Sequence, residues 1–199
     1  DLGHWAKAKT ALSEGLEIAR KTGNRERICS LARLLGENAM LQGGYLTAQG
    51  YFEESERIAR LIDHRKHLSA ALAAQGALLV KLGNLPKAEQ LLLESIDIAR
   101  ESGLTWQTAN AMIKLGECYI AGADPVHAIR ILVEAMPIAK RAGKQLTVET
   151  LFAQAQAHAF NHETARAREL GQEALKEAER IEYFLRSSIR AWLRASSNG

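Results

Sequence analysis

Between Arg25 and Leu41 the apolar residues Ile28, Leu31, Leu34, Leu35 and Leu41 fall on one side of a helical wheel, and the polar residues between them fall on the other. The run "QGGY" interrupts this pattern. A second amphipathic run follows from about Leu46 to Leu61, with Ala48, Phe52, Ser55, Ile58 and Ala59 on its inner side. The pattern therefore predicts two helices joined by a short turn. The same pair returns forty residues later, and again after another forty. Ile18, Ile58, Ile98 and Ile138 stand in register, each followed by alanine (Ala19, Ala59, Ala99, Ala139) and then by a cation (Arg20, Arg60, Arg100, Lys140). A further column is Ala8, Ala48, Ala88 and Ala128, trailed four residues on by Leu12, Phe52, Leu92 and Leu132. Several independent columns at one spacing mark an internal repeat.

The punctuation agrees. Gly23, Asp63, Gly103 and Gly143 occupy the slot just past a helix end, where a left-handed residue closes the last turn. Asp124 before Pro125 is a helix start: a capping oxygen, then a residue with no N–H to lose. Gly36, Gly76 and Gly116 sit inside the first helix of each pair, where glycine costs about 1 kcal/mol against alanine. Such a cost implies a packing gain, and the small residues Ala48, Ala88 and Ala128 of the second helix are the expected partners, small against small. Pro137 stands inside a predicted helix and removes a bond to the carbonyl of Val133, so a kink is expected there.

"LLGENAM…A…YFEESERIAR", "AAQGALL…A…QLLLESIDIAR" and "KLGECYI…A…RILVEAMPIAK" resemble tetratricopeptide (TPR) repeats. Leu35-Gly36, Leu115-Gly116 with Tyr119, and the trios Ala48/Phe52/Ser55, Ala88/Leu92/Ser95 and Ala128/Leu132/Ala135 fill that family's slots. The unit is forty residues rather than the common 34, and closes on glycine or aspartate rather than proline. In this it is similar to the arrays of MalT-like bacterial regulators, where the repeats form the sensing arm of a signal-transduction ATPase. The resemblance implies an all-α, right-handed α-solenoid of antiparallel helix hairpins. On this reading 1–199 is a single solenoid. Residues 1–24 are the second helix of a truncated repeat, 25–64, 65–104 and 105–144 are full repeats, 145–180 is a degenerate repeat, and 181–199 holds a capping helix and tail. In the degenerate repeat Gln156 takes the expected glycine slot, and the alanines of "ARARELGQEAL" fall one residue early. A chain that opens on "DLGHWAKA" without an initiating Met reads as a segment of something longer.

Composition narrows the function more than it defines it. Net charge is +3, and both signs are spread evenly: 14 basic and 12 acidic residues in 1–100, 12 and 11 in 101–199. That distribution argues against nucleic acid as a partner. Cys29 and Cys118 are too far apart to form a CxxC motif, and buried reduced thiols in a cytoplasmic protein are expected. No eighteen-residue apolar run offers a membrane span. His158 and His162 stand one helical turn apart without an evident third ligand, and His64 and His67 flank "RK" in a predicted turn. Both pairs read as turn-facing histidines, and no metal or other cofactor is expected. Phosphate loops and nucleophile elbows are absent, and the carboxylates scatter over exposed helix faces, so the chain reads as non-enzymatic. Arg186, Arg190 and Arg194 form the solvated side of the terminal helix, opposite Leu185, Ile189 and Leu193. Trp5, Tyr45 and Trp106 are expected to wedge between helices.

The resemblance implies binding on the face lined by the first helices. By a forty-residue register that face presents Ser30, Arg33, Glu37 and Met40, then Ala70, Ala73, Ala77 and Val80. Asn110, Ile113, Glu117 and Ile120 follow, and last Thr150, Ala153, Ala157 and Phe160. Such a surface, apolar and small with isolated charges, suits a protein or peptide partner, an amphipathic helix in particular. The reading is a binding scaffold serving as the interaction or sensor arm of a larger bacterial signalling or transcription-regulatory protein. Its rivals are a small-molecule sensor controlling an attached ATPase or kinase, and a homo-oligomerisation module.

Overall fold

The computed structural model describes residues 2–196, with side chains from Lys9 onward. Among these residues there is helix and turn and no strand. The helices are α1 (Leu2–Lys21), α2 (Arg25–Leu41), α3 (Tyr45–Leu61), α4 (Arg65–Lys81), α5 (Leu85–Glu101), α6 (Thr105–Ala121), α7 (Pro125–Ala142), α8 (Lys144–Phe160), α9 (Thr164–Arg180) and α10 (Arg186–Ala195). They fall into two compact units, Asp1–Gly103 and Leu104–Gly199. In the first unit each helix packs on the next from α1 to α5, and the first helices α2 and α4 also touch each other. In the second unit the same holds from α6 to α10, with α6 touching α8. Within the first unit three-residue connectors join each helix to the next, making antiparallel hairpins, and the same connectors join α6 to α7 and α8 to α9.

Local chemistry explains the boundaries. Asn24, His64, Asn84 and Asp124 are N-caps, each accepting from the backbone N–H three residues on. Asp63 fills the turn slot with φ +50°, and Ala123 does so with φ +57°, in the slot that Gly43 and Gly83 hold elsewhere. The repeated "IAR" triplet divides its labour. Ala19, Ala59, Ala99 and Ala139 are all at most 1 % exposed, where nothing larger fits. The arginines reach outward to the next repeat. One guanidinium nitrogen of Arg20 donates to both carboxylate oxygens of Glu54 at 2.7 and 2.8 Å, and Arg60 reaches Glu94 at 2.9 Å, both 34 residues on.

The in-register glycines do make room for the partner helix, but not for its alanines. A Cβ on Gly36 would sit 2.4 Å from the Phe52 ring. On Gly76 or Gly116 it would sit 2.6 Å from Cγ of Leu92 or Leu132. Each hairpin is thus locked by a large knob in a glycine hole, sixteen residues apart in sequence. Ala48, Ala88 and Ala128 are fully buried one turn earlier, and Ala48 packs in a cluster with Phe52, Ala74 and Leu78. A hydroxyl adds a second tie in two hairpins. Ser55 Oγ donates to the Cys29 carbonyl at 2.9 Å, and Ser95 Oγ to the Ser69 carbonyl at 2.8 Å.

The second unit breaks the period. Gly143 alone joins α7 to α8, where the connectors between the preceding helices have three residues, and α7 is one residue longer than α5. Its φ of +142° and ψ of 168° suit only glycine. The net loss is one residue, so α8 and α9 run thirty-nine residues behind α6 and α7. In that register Ala155, not Gln156, fills the glycine slot, and Gly171 fills the slot of Leu132. The hole has gained a methyl and the knob has vanished. Trp192 of α10 takes the vacated space: a Cβ on Gly171 would meet its ring at 2.7 Å. The ring also stands edge-on to Phe152, with centroids 5.7 Å apart. Trp192 is therefore the aromatic wedge. Trp106 and Tyr45, expected in that role, are 46 % and 36 % exposed, and the Trp5 side chain lies outside the described residues. Ile189 is fully buried under the cap, while Arg186, Arg190 and Arg194 face solvent, with Arg190 paired to Glu179. The α-helix of α7 continues through Pro137, which lies on the exposed side.

Candidate binding surface

The expected face divides into residues that are accessible and residues that are not. On α2, Ser30, Arg33, Glu37 and Met40 are all half-buried. Arg33 and Glu37 form an ion pair one turn apart. On α4, Ala70, Ala77 and Val80 are half-buried, but Ala73 is closed off at 2 % exposure. These residues make the surface of the first unit.

In the second unit, Asn110 and Ile120 are half-buried and Glu117 is exposed, but Ile113 is core. On α8 the forty-residue register misplaces the side chains. Thr150, Ala153 and Ala157 are buried, and Thr150 spends its hydroxyl on the carbonyl of Leu146 at 2.7 Å. They belong to the packing of α8 and cannot meet a partner. The shortened connector at Gly143 turns α8 by one residue, so the corresponding accessible positions are Glu149, Phe152, Gln156 and Ala159. The linear sequence carried the cue in α9, whose alanines come one residue early. The shift begins at Gly143 and so includes α8.

Glu149 is the most perturbed acid on this surface. Burial raises its carboxyl above the ordinary carboxylate value, and the nearby charge of Glu117 pushes the same way. The Tyr183 hydroxyl, which donates to Glu149, and the charge of Lys114 act in the opposite sense. The phenol of Tyr183 is in turn shifted up by burial and by that acid. Lys114, Glu117, Glu149 and Tyr183 thus form one interacting polar group, drawn from α6, α8 and the turn before α10. Sequence reading singled out only Glu117 among them.

Elsewhere the chemistry is quiet. Burial pushes the Cys29 thiol up to about 11, which keeps it protonated, and Cys118 is also buried and free of a disulfide. His158 Nδ1 lies 2.7 Å from Glu163, a turn contact with no second histidine. A shallow depression of about 360 Å³ beside it, lined by Val133, Met136, Pro137, Lys140, Gln154, His158 and Arg166, lies open to solvent. No helix among the described residues is long and apolar enough to cross a membrane.

A family model for the tetratricopeptide repeat matches residues 26–101 and 68–141, more than half of the chain. The chain belongs to the tetratricopeptide repeat family. Its fold is an all-α, TPR-like solenoid of helix hairpins, and TPR repeats are protein-interaction scaffolds that are typically non-catalytic. Solved structures agree on the fold. BtubC from P. vanneervenii superposes with a TM-score of 0.76 at 16 % identity, covering 98 % of this chain and 83 % of that one. The apo form of RapI matches with a TM-score of 0.68 at 15 % identity, over 78 % of this chain and 57 % of RapI. The Signal Transduction ATPase with Numerous Domains (STAND) protein with a tetratricopeptide repeat sensor from Pyrococcus horikoshii matches with a TM-score of 0.66 at 19 % identity. That match covers 84 % of this TPR chain but only 26 % of the STAND protein. No curated protein matches the chain in sequence.

Proposed function

We propose that this TPR chain is a non-enzymatic module whose first-helix faces hold a protein or peptide segment. It serves as the interaction or sensor arm of a larger bacterial signalling or transcription-regulatory protein. The observation that carries the reading is the composition of those faces. They offer small and apolar groups (Ala70, Ala77, Val80, Phe152) beside a few charges (Arg33, Glu37, Glu117). That mixture suits one side of an amphipathic helix, whose apolar residues fill the shallow positions and whose polar edge meets the charges. The fold shared with the STAND protein, in which a TPR array is a sensor, supports the place of such a module within a longer chain.

The test is selection of binders from a library of amphipathic helical peptides, with affinities read by fluorescence anisotropy. Ala77→Arg in the first unit or Glu117→Lys in the second should weaken the selected peptides at least tenfold. Glu94→Lys, which alters the arginine ladder instead, should leave them unchanged. Peptides indifferent to both face substitutions would end the proposal.

A further inference from the structure

The first turns of α2 and α4 bring three metal-binding side chains together in the first unit. Glu26 lies in the first turn of α2, His64 is the N-cap of α4, and His67 follows within the first turn of α4. One ligand atom from each lies within 4.8 Å of the other two. His64 Nε2 stands 3.9 Å from Glu26 Oε1, and the two imidazole rings lie against each other with centroids 4.2 Å apart and planes tilted by 35°. We propose that Glu26, His64 and His67 form a binding site for a divalent cation of the zinc class, with solvent completing the coordination. His64 and His67, which the sequence presents only as turn-facing histidines, thus have a third ligand beside them. That ligand comes from the start of α2, thirty-eight residues upstream of His64.

The geometry is near what a metal requires. Zinc bonds of about 2.0–2.2 Å to nitrogen and oxygen place tetrahedral donors about 3.3 Å apart. The donors here must close by on the order of 1 Å, and the exposed Glu26 side chain is free to swing. The half-buried imidazoles are already neighbours, in a tilted ring contact. His64 Nδ1 accepts from the His67 N–H at a long 3.4 Å, which places the ring proton on Nε2. Ligation through Nε2 moves that proton to Nδ1, at the loss of one weak cap bond. The trio is not a by-product of the repeat. The corresponding positions in the second unit are Trp106, Gly143 and Leu146, none of which ligates a metal.

The surroundings select the kind of ion. Lys66 and Arg33 set positive charge against His67, and the N-terminus of α4 adds its own partial positive charge. A hard cation held by charge alone, such as Mg²⁺ or Ca²⁺, gains little from one carboxylate in that field. A borderline ion that bonds to imidazole lone pairs gains from two nitrogens at once. Bound there, it would tie the ends of the two first helices that carry the binding surface of the first unit.

The experiment uses the full chain, untagged and stripped with chelator, titrated with Zn²⁺ by calorimetry and with Co²⁺ by visible absorption. The expected result is one Zn²⁺ per chain, tetrahedral Co²⁺ bands, a melting temperature that rises with Zn²⁺ by mass action, and no response to Mg²⁺. Glu26→Gln and His67→Gln should each weaken Zn²⁺ at least tenfold, while His158→Gln leaves it unchanged. Circular dichroism checks that each variant folds. Should His67→Gln unfold, Glu26→Gln, on an exposed turn, decides alone. No Zn²⁺ binding below 1 mM, or a loss under tenfold in Glu26→Gln, overturns the site. So does a loss in His158→Gln as large as in the site variants.

Discussion

The knob-in-hole contact between Leu92 and Gly76 predicts a specific non-additivity. A methyl on residue 76 would lie 2.6 Å from Leu92 Cγ and 2.8 Å from Cδ2, both inside van der Waals contact. Overpacking of this kind costs about 1–3 kcal/mol. Replacing mid-helix glycine by alanine returns about 1 kcal/mol of helix propensity. Gly76→Ala alone is therefore expected to range from nearly neutral to about 2 kcal/mol destabilising. Leu92→Ala alone empties a fully buried position and should cost about 2–5 kcal/mol. In the double variant the clash is gone and the propensity gain remains, so it should be about 1 kcal/mol more stable than Leu92→Ala. The coupling is then about 1–3 kcal/mol, the whole of the overpacking. Repeat arrays can unfold stepwise. Urea unfolding followed by circular dichroism should therefore be paired with hydrogen exchange of the α4 amides, which reads the local free energy. Additivity within about 0.5 kcal/mol, the range expected of independent sites, would refute the contact. So would a Gly76→Ala variant more stable by the full propensity term.

Three further outcomes follow from single sites. Ser69 is fully buried and its hydroxyl has no partner among the described residues, while Ala109 fills the same slot in the next repeat. Ser69→Ala should therefore raise stability by about 1 kcal/mol in urea unfolding, and a loss would show that the hydroxyl is satisfied. Ala123 holds a left-handed conformation costing about 1–2 kcal/mol, against about 0.4–1 kcal/mol of extra unfolded-state entropy for glycine. Ala123→Gly should thus range from neutral to stabilising by about 1.5 kcal/mol, and a destabilised variant would contradict that backbone geometry. Glu149 binds its proton more tightly in the folded chain than when unfolded, so its contribution is favourable at low pH and is lost as pH rises through its folded value. Glu149→Gln keeps an acceptor for Tyr183 without a charge. Its stability relative to the parent should grow from pH 4 to pH 7, and a gap that shrinks over that range would reverse the assignment.

Much of this architecture is legible in the sequence because the repeat supplies its own controls. The boundaries of α2, the turns at Gly23, Asp63 and Gly103, and the cap at Asp124 are each set by neighbours within four residues, and repetition confirms them. The partner of Gly76 is a different matter. Both columns, Gly36/Gly76/Gly116 and Phe52/Leu92/Leu132, stand out in the sequence. Which residue meets the glycine depends on how one helix is offset along the other, and size matching alone chose Ala88 wrongly. The trio of Glu26, His64 and His67 is hidden for a related reason. Its members are adjacent only because α2 and α4 lie side by side at matching ends.

The slip at Gly143 shows how a solenoid absorbs a missing residue. A connector of one residue in place of three forces a backbone that only glycine reaches, and the extra residue in α7 recovers part of the loss. Every side chain after that point then arrives one position early. The hairpin α8–α9 could not keep a large knob and a glycine hole at the old numbers. Instead, Ala155 fills the hole, Gly171 removes the knob, and the aromatic bulk returns from Trp192 of the capping helix. The cap and the last hairpin are therefore complementary by substitution: restoring a leucine at residue 171 would expel Trp192, and with it the contact that covers Phe152. The same shift that puts Thr150, Ala153 and Ala157 into the core turns Glu149 and Phe152 outward, under Tyr183 and Trp192. The end of the proposed binding surface is thus set jointly by one glycine connector and one terminal helix, and a change in either should alter what this face can hold.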